Sequence, residues 1–593
     1  MRKQKDKQAG FGAKNTPAAT EPAEVEKKIP QETEHQADRR QILTRLRERL
    51  RHIRHIYWMK KRLAIPSTAV ALILLLAAIP FTRYTALRLF IKQDIFVTVV
   101  DSQTRTPVSK AMVVVGGQRA TTNASGMVHI HANVGYQTLA ISKQFYQTYT
   151  HSQLVGLSAR DNHVTIELKA IGRVVPVSVI NKITGKPIAG ASVKALNSEA
   201  TTAADGTATV VLPATAATQK VVITASGFNA LNSTVQVTNR TVSANSFAIT
   251  PAGKLYFLSN FSGKIDVVKT DLDGTNRQTV LAGTGNEDQR DTVLLASRDW
   301  KYLALYTQRK ATGGPEIDLI DTSTDNMSNI DEGDASFTLV GWSGDRFIYL
   351  VDRNNVAANQ NGREALKSFD AQTKTIDVLA QTAANPDGTY QGIVGQYLVG
   401  DKVFYGMSWY PTFYPQVTGK QAIFYSMKSD GSNKTVLKSF TLDANADYYF
   451  QVIPYAVNSL TISYYTSSGT TYYEYEDGKV SQSSDVNGQT LLNTTYPTYL
   501  LSPAGDKIFW SAYADGKNNL KVGDNNGQNA KTIASESDYS PYGWFTDNYL
   551  LVQKSDSELY IMSADGGSQP YKITNYYKPQ VSYRGYGGGY GGL

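Results

Sequence analysis

Residues 502–511 read SPAGDKIFWS, a Ser-Pro-Ala-Gly turn followed at once by a short apolar strand. The same turn-plus-strand phrase returns at TPAGKLYFLS (250–259), SRDWKYLALY (297–306), WSGDRFIYLV (342–351), LVGDKVFYGM (398–407), VNSLTISYY (457–465) and FTDNYLLVQ (545–553). After each comes a second strand, often closed by an Asp-Gly or Asn-Gly turn, as in KTDLDGTNRQTVL, YSMKSDGSNKTVL, KVGDNNGQNAKTI and YIMSADGGSQPYKI. Those dipeptides supply the positive φ that tight hairpins demand. Short strands at this spacing, four to a period, describe the blades of a β-propeller. The seven loci predict roughly seven blades over residues 250–580.

The first and sixth phrases most resemble the propellers of TolB-type and dipeptidyl-peptidase-IV-type proteins. The resemblance implies a rigid scaffold that presents loops. Upstream, Phe247 and Ile249 alternate correctly both for the first blade and for the end of whatever precedes it, so that boundary stays open.

What precedes it is an internal repeat. FVTVVDSQTRTPVSKAMVVVGGQRATTNASGMVHI (96–130) lies over PVSVINKITGKPIAGASVKALNSEATTAADGTATV (176–210) at a constant offset of 80. Thr104 falls on Thr184, Pro107 on Pro187, Ala111 on Ala191, Thr122 on Thr202 and Gly126 on Gly206. Alternation such as Val97/Val99 and Val177/Val179 marks half-buried strands, and NASG and AADG are turns. Each copy should be a small antiparallel β-sandwich, the first over 94–169 and the second over 171–249. The second copy, with ITGKPIAGASV and TTAADGTATV, resembles the carboxypeptidase-regulatory-like fold. The first copy, TRTPVSKAMV, lacks both glycines of that pattern. The resemblance implies a stalk or adhesion-type module without chemistry of its own.

Nearer the N-terminus, residues 63–82 (LAIPSTAVALILLLAAIPFT) contain no charge, and Lys60, Lys61, Arg62 and Arg83 flank them. Twenty helical residues rise about 30 Å, the thickness of a bilayer's hydrocarbon core. This reads as an uncleaved signal anchor with Pro66 in its first turn. Residues 1–62 hold 17 Lys and Arg against 8 Asp and Glu, while the chain nets +9, so the remaining residues are balanced. The bases beside the span, among them Arg54, Lys60, Lys61 and Arg62, place the N-terminus in the cytoplasm and the bulk of the chain outside. The excess charge is then a topology signal, and no nucleic-acid partner is expected. Residues 1–37 lack apolar periodicity and should be a disordered tail. Residues 38–62 read as a basic amphipathic helix, with Leu43, Leu46, Leu50, Ile53 and Tyr57 on one face. It extends the membrane helix, lies on anionic lipid, or forms a dimer seam through 38–57. The end of the chain, 581–593, is a flexible Gly/Tyr-rich tail.

Reactive chemistry is sparse. Cysteine is absent, which removes disulfides and zinc–thiolate sites and favours a prokaryotic envelope over a secreted eukaryotic ectodomain. All seven histidines precede residue 164, so the propeller holds no Ser-His-Asp or Cys-His arrangement. His129 and His131 share one strand face, with His151 or His163 as further candidate ligands, but surface histidines are the expectation and no metal or other cofactor is assigned. DLDG at 271–274 lacks calcium-loop spacing and reads as a hairpin turn. Asp299, Asp345, Asp401 and Asp506 sit in blade turns, and no catalytic pair emerges from them.

The candidate recognition surface is GMSWYPTFYPQVTGK (406–420), which interrupts a blade with Trp409, Tyr410, Phe413 and Tyr414 as ligand-contact candidates. Its rings either grip a ligand or fold over their own blade. The expected molecule is mainly β: one transmembrane helix held in membrane lipid, two sandwiches as spacer, and a distal propeller. Its expected role is binding or scaffolding at the cell surface, without enzymatic activity, toward an extracytoplasmic protein or glycan. The alternatives are a carboxylate-dependent propeller enzyme on cell-wall glycan and a transmembrane sensor.

Overall fold

In a computed structural model, the described residues are 48, 51, 61–78, 84 and 87–576, less 159, 161, 197, 214, 216, 239–240, 289–290, 413–416, 444–448, 467–468, 484–499, 515, 536 and 556. Two compact units emerge. One gathers the described residues up to 92 with 133–136 and 154–156, and the other gathers the remaining described residues.

In the first unit, the helix α1 spans Lys61–Ala78. Pro66 lies inside it, not in its first turn, because the helix already runs from Lys61. Ile65 and Leu72–Leu75 are more than half exposed. Its 18 described residues rise about 27 Å. Among the described residues, no helix is long and apolar enough to cross a membrane. Residues 79–82 of the expected span lie outside the described residues, as do Arg54, Lys60 and nearly all of the 1–37 and 38–62 segments.

The second unit begins with the two repeat copies. In the second copy, Arg173–Asn181 lies between Thr207–Leu212 and Ser246–Ile249. A four-stranded sheet faces it, in the order Ser198–Thr201, Ser192–Ala195, Thr218–Thr224, Leu231–Gln236. Val175, Val177, Val179, Val193, Ile223 and Val235 fill the space between them. The sheets are not wholly antiparallel as expected, since Ser246–Ile249 runs parallel to Arg173–Asn181. The same parallel pairing joins 96–101 to 163–168 in the first copy. A strand that returns from the opposite sheet enters beside the first strand without a hairpin, so its direction is free to be parallel.

The offset of 80 is physical. Thr122 Oγ1 donates to Val108 O at 2.7 Å and accepts from Ala111 N at 2.9 Å. Thr202 Oγ1 does the same with Ile188 O and Ala191 N, at 2.6 and 2.8 Å. Asp101 caps the amides of Gln103 and Thr104, as Asn181 caps those of Ile183 and Thr184. Where the second copy has Gly185 and Gly190 at φ +68° and +76°, the first holds Arg105 and Lys110 at +60° and +55°. The turn geometry therefore survives without its glycines, at a steric cost of about 1 kcal/mol for each residue.

Among the described residues, seven antiparallel meanders follow in sequence order, starting at Lys254–Ser259 and ending at Tyr571–Asn575. Each successive pair touches. Tyr256 OH donates to Asp325 Oδ1 (first to second, 2.8 Å), and Trp342 Nε1 to Leu295 O (third to second, 3.0 Å). Ile393 N donates to Glu364 Oε2 (fourth to third, 3.0 Å), and Lys402 Nζ to Tyr475 OH (fourth to fifth, 3.2 Å). Val457 N donates to Asn525 O (fifth to sixth, 3.0 Å), and Trp544 Nε1 to Leu500 O (seventh to sixth, 2.8 Å). Arg277 Nη1 reaches Thr574 Oγ1 at 3.1 Å, first to seventh. The meanders therefore close into a ring, the propeller arrangement.

The seam of that ring is unusual. The seventh meander is built from four consecutive strands, so no strand of the first is shared with it. The first has only three, because Ser246–Ile249, which precedes its opening turn, pairs with Arg173–Asn181. Phe247 and Ile249 therefore serve the sandwich. Trp300, in the second meander's first turn, fills the gap. Its ring packs on Phe545 at 5.7 Å, and its Nε1 donates to Trp544 O at 2.9 Å.

Candidate functional site

Strand direction divides the ring into two faces. In an up-and-down meander, the first-to-second and third-to-fourth turns lie on one side, here the turn face. The second-to-third loops and the links between meanders lie on the other, the loop face. In four meanders the phrase strand is the second. The other three, Lys254–Ser259, Lys402–Pro411 and Lys507–Ala514, also start at the turn face, where Gly253 lies against Phe545, Asp401 pairs with Arg298 and Ala504 N donates to Asp547. The stretch after each phrase strand therefore reaches the loop face.

The turn face is engaged. The second sandwich sets its 181–187 loop against the turns of the first and seventh meanders, where Lys182 pairs with Asp273 and Lys186 with Asp565, both at 2.7 Å. The carboxylates expected in these turns are spent locally. Asp299 binds Lys301 and Ser297, Asp345 binds Gln372, and Asp506 binds Ser502. Asp401 pairs with the buried Arg298 of the second meander. DLDG is a hairpin turn, closed by Asp271 N to Thr275 O at 2.9 Å, with Asp271 held by Lys254. Burial would raise the Asp273 carboxyl, but hydrogen bonds from Lys182, Thr275 and Thr250 outweigh it and hold the group far below the usual carboxylate range.

The loop face carries the expected aromatic segment. Strand Lys402–Pro411 sets Trp409 opposite Gln391 and Tyr410 opposite Tyr390. The Lys420 ammonium sits 4.1 Å from the Trp409 ring centroid and is itself held by Asp387 at 2.8 Å. That ion pair, with Thr389, brings the Asp387 carboxyl down to about 2. Tyr410 stacks on Tyr390 at 5.4 Å and lies over Gly392, where a Cβ would approach its ring to 3.0 Å. Both rings are half-buried and lean on their own blade. Phe413 and Tyr414 lie outside the described residues.

Two aromatics that sequence pattern did not single out stand out on the same face. Phe261, in the loop after Lys254–Ser259, is 69% exposed, and Tyr513, near the end of Lys507–Ala514, is 77% exposed. The Phe261 ring is held from one side by the Arg277 guanidinium at 4.7 Å. Arg277 is fixed in turn by Ser259 Oγ at 2.6 Å and by Thr574. A single aromatic in a short loop carries no periodic signal, so only exposure reveals it.

The described histidines belong to the first sandwich and lie apart from the ring. His129 and His131 both bond the same oxygen of Asp94, at 2.9 and 2.8 Å. Those hydrogen bonds hold the Asp94 carboxyl below its ordinary value. Phe96 stacks between His129 and His163, at 5.1 and 4.7 Å. Among the described residues, no group of three or more His, Cys, Asp or Glu side chains is arranged to hold a metal ion.

No family model and no curated protein matches the sequence. Solved structures similar to the chain include several of low identity. One is the β-propeller domain of the trilobed protease from Pyrococcus furiosus, described as having an open velcro topology, at 18% identity and TM-score 0.32, covering 55% of this chain and 93% of that one. Another is an oligogalacturonate lyase in complex with manganese, at 13% identity and TM-score 0.29, covering 55% of this chain and 86% of that one. A third is TolB from Acinetobacter baumannii, at 12% identity and TM-score 0.23, covering 53% and 77%. These proteins differ in activity, and none of these likenesses carries an argument about what this chain does.

Proposed function

We propose that this chain is a membrane-anchored surface-binding protein whose seven-bladed propeller grips a protein or an envelope polymer with its loop face. The observation that carries this reading is the exposure of Phe261 and Tyr513 on that face, at 69% and 77%. Rigidly held aromatic rings give large contact area at small entropic cost, whether the partner is a sugar ring or an apolar side chain. Trp409 and Tyr410 add a third platform, partly spent on blade four. The turn-face carboxylates are each bonded to a neighbour, which favours binding over carboxylate catalysis.

The rest of the molecule suits this role. The uncharged stretch 63–82, with its basic N-terminal flank, is the anchor, and the two sandwiches, with their likeness to regulatory-type stalk modules, supply reach. Deletion of residues 61–82 should release the chain from the membrane fraction. The test of recognition is capture of envelope polysaccharides and envelope proteins by the purified full chain, beside a Phe261→Ala/Tyr513→Ala variant. Binding lost in the double variant supports the reading. Binding kept by it but lost in Trp409→Ala moves the site to blade four, and binding by none of them argues against a recognition head.

A further inference from the structure

We propose that the second sandwich is the clasp of the ring, so that the seam between the first and seventh blades stays closed only while the 181–187 loop is seated on it. A ring whose ends shared one strand would be held there by a backbone ladder. Here no strand is shared, and the residues that would begin the first blade's innermost strand are the sandwich's last strand, Ser246–Ile249. The seam is thus deprived of backbone pairing by the very element that then covers it.

The loop touches both sides of the joint. On the first blade, Lys182 and Thr250 both bond Asp273 Oδ2, at 2.7 and 2.8 Å. On the seventh, Asn181 Nδ2 donates to Tyr549 OH at 2.7 Å, and Lys186 pairs with Asp565. Between these polar arms, Ile183 is 4% exposed and joins the core that also holds Leu255, Trp300, Phe545 and Leu551. One sandwich side chain thus belongs to the same buried cluster as residues of the first, second and seventh blades. A backbone ladder fastens the base, with Asn229 N to Thr250 O and Ala252 N to Gly227 O, both 2.9 Å.

Among the described residues of the propeller, no backbone ladder joins the first blade to the seventh, and packing closes the joint. Phe545 lies against Gly253, where a Cβ would meet its ring at 2.6 Å, and Trp300 reaches Trp544. Removing a hydrophobic plug from such a joint opens it locally, before the rest of the ring.

Amide hydrogen exchange on the full chain reads this directly. In Ile183→Asp, exchange across 254–281 and 540–575 should speed up about tenfold or more, while 402–428 of blade four keeps its rate. Val193→Ala loosens the sandwich core away from the seam and serves as the control, with the blades unchanged. Should Ile183→Asp fail to fold, Tyr549→Phe combined with Lys186→Ala removes two arms without disturbing either core, and the same segments should exchange several-fold faster. Unchanged exchange in blades one and seven, or equal acceleration in all seven blades, would overturn the clasp.

Discussion

The indole of Trp300 donates to the carbonyl of Trp544 at 2.9 Å, across a seam where no strand is shared, from a backbone held at φ +60°. Trp300 stands where the phrase of blade six has Gly505, at φ +75°. A bulky residue in the left-handed region pays about 1 kcal/mol, which its burial and indole bond offset.

At this position, then, glycine should outperform alanine. Trp300→Ala forfeits a buried indole and is expected to cost roughly 3–5 kcal/mol. Trp300→Gly loses the same contacts but relieves the backbone, so it should be about 1 kcal/mol more stable than the alanine variant. Denaturant unfolding of the two variants checks the order; a more stable alanine variant would mean the backbone is not left-handed there.

Two glycines of the first blade separate strain from collision. Gly263, at φ +85°, has open space where a Cβ would go, so Gly263→Ala should cost about 1 kcal/mol. Gly274, at φ +77°, would place its Cβ 2.0 Å from the carbonyl oxygen of Ile573 in the seventh blade. Neither backbone can yield without opening the seam, so Gly274→Ala should cost roughly 3 kcal/mol. Thermal unfolding of the pair tests the contrast.

Asp318 is 2% exposed, and its Oδ2 has no partner. Burial, followed by the nearby Glu316 carboxylate, raises its pKa to about 6. The folded chain then keeps a proton that the unfolded chain, near 3.9, has released. Stability from this group is full below about pH 4 and declines as pH rises to about 6. Asp318→Asn should therefore stabilise the chain at pH 7 by on the order of 1–2 kcal/mol, and the gain should vanish near pH 4. Unfolding of wild type and variant at both pH values gives the answer, and a gain independent of pH would contradict it.

The opposite sign holds at the sandwich junction. The depressed Asp273 carboxyl contributes stability above its unfolded pKa, about 3.9, and loses it as pH falls toward the folded value. Its partner Lys182 is raised by Asp273, so its share is complete below about pH 10 and fades above it. Asp273→Asn should flatten the acid limb of a stability profile, which acid titration followed by tryptophan fluorescence would show.

Much of the ring was legible because each phrase binds turn to strand. Each of the seven phrases falls on a strand, from Lys254–Ser259 to Tyr549–Lys554, and in four meanders that strand is the second. The seam was not legible, since Phe247 and Ile249 alternate identically whichever sheet receives them. Trp300 left a trace, as the one aromatic residue in the glycine place of its phrase. At the candidate site, Trp409 and Tyr410 were visible as ring-rich sequence, but their partners Lys420 and Tyr390 come from other parts of the blade. Whether a ring is free or covered depends on that pairing, which local sequence does not encode. Phe261 and Tyr513 are lone aromatics, and nothing in their spacing marks them.

The division into faces can be tested directly because the chain contains no cysteine. Tyr513→Cys on the loop face and Ser432→Cys on the turn face, both exposed positions, each take a bulky maleimide as the sole label. Capture of isolated cell envelopes by the full chain would be measured before and after labelling. Labelling at position 513 is expected to abolish capture while labelling at 432 leaves it intact. Capture that survives a blocked loop face, or fails only when the turn face is blocked, would contradict that expectation.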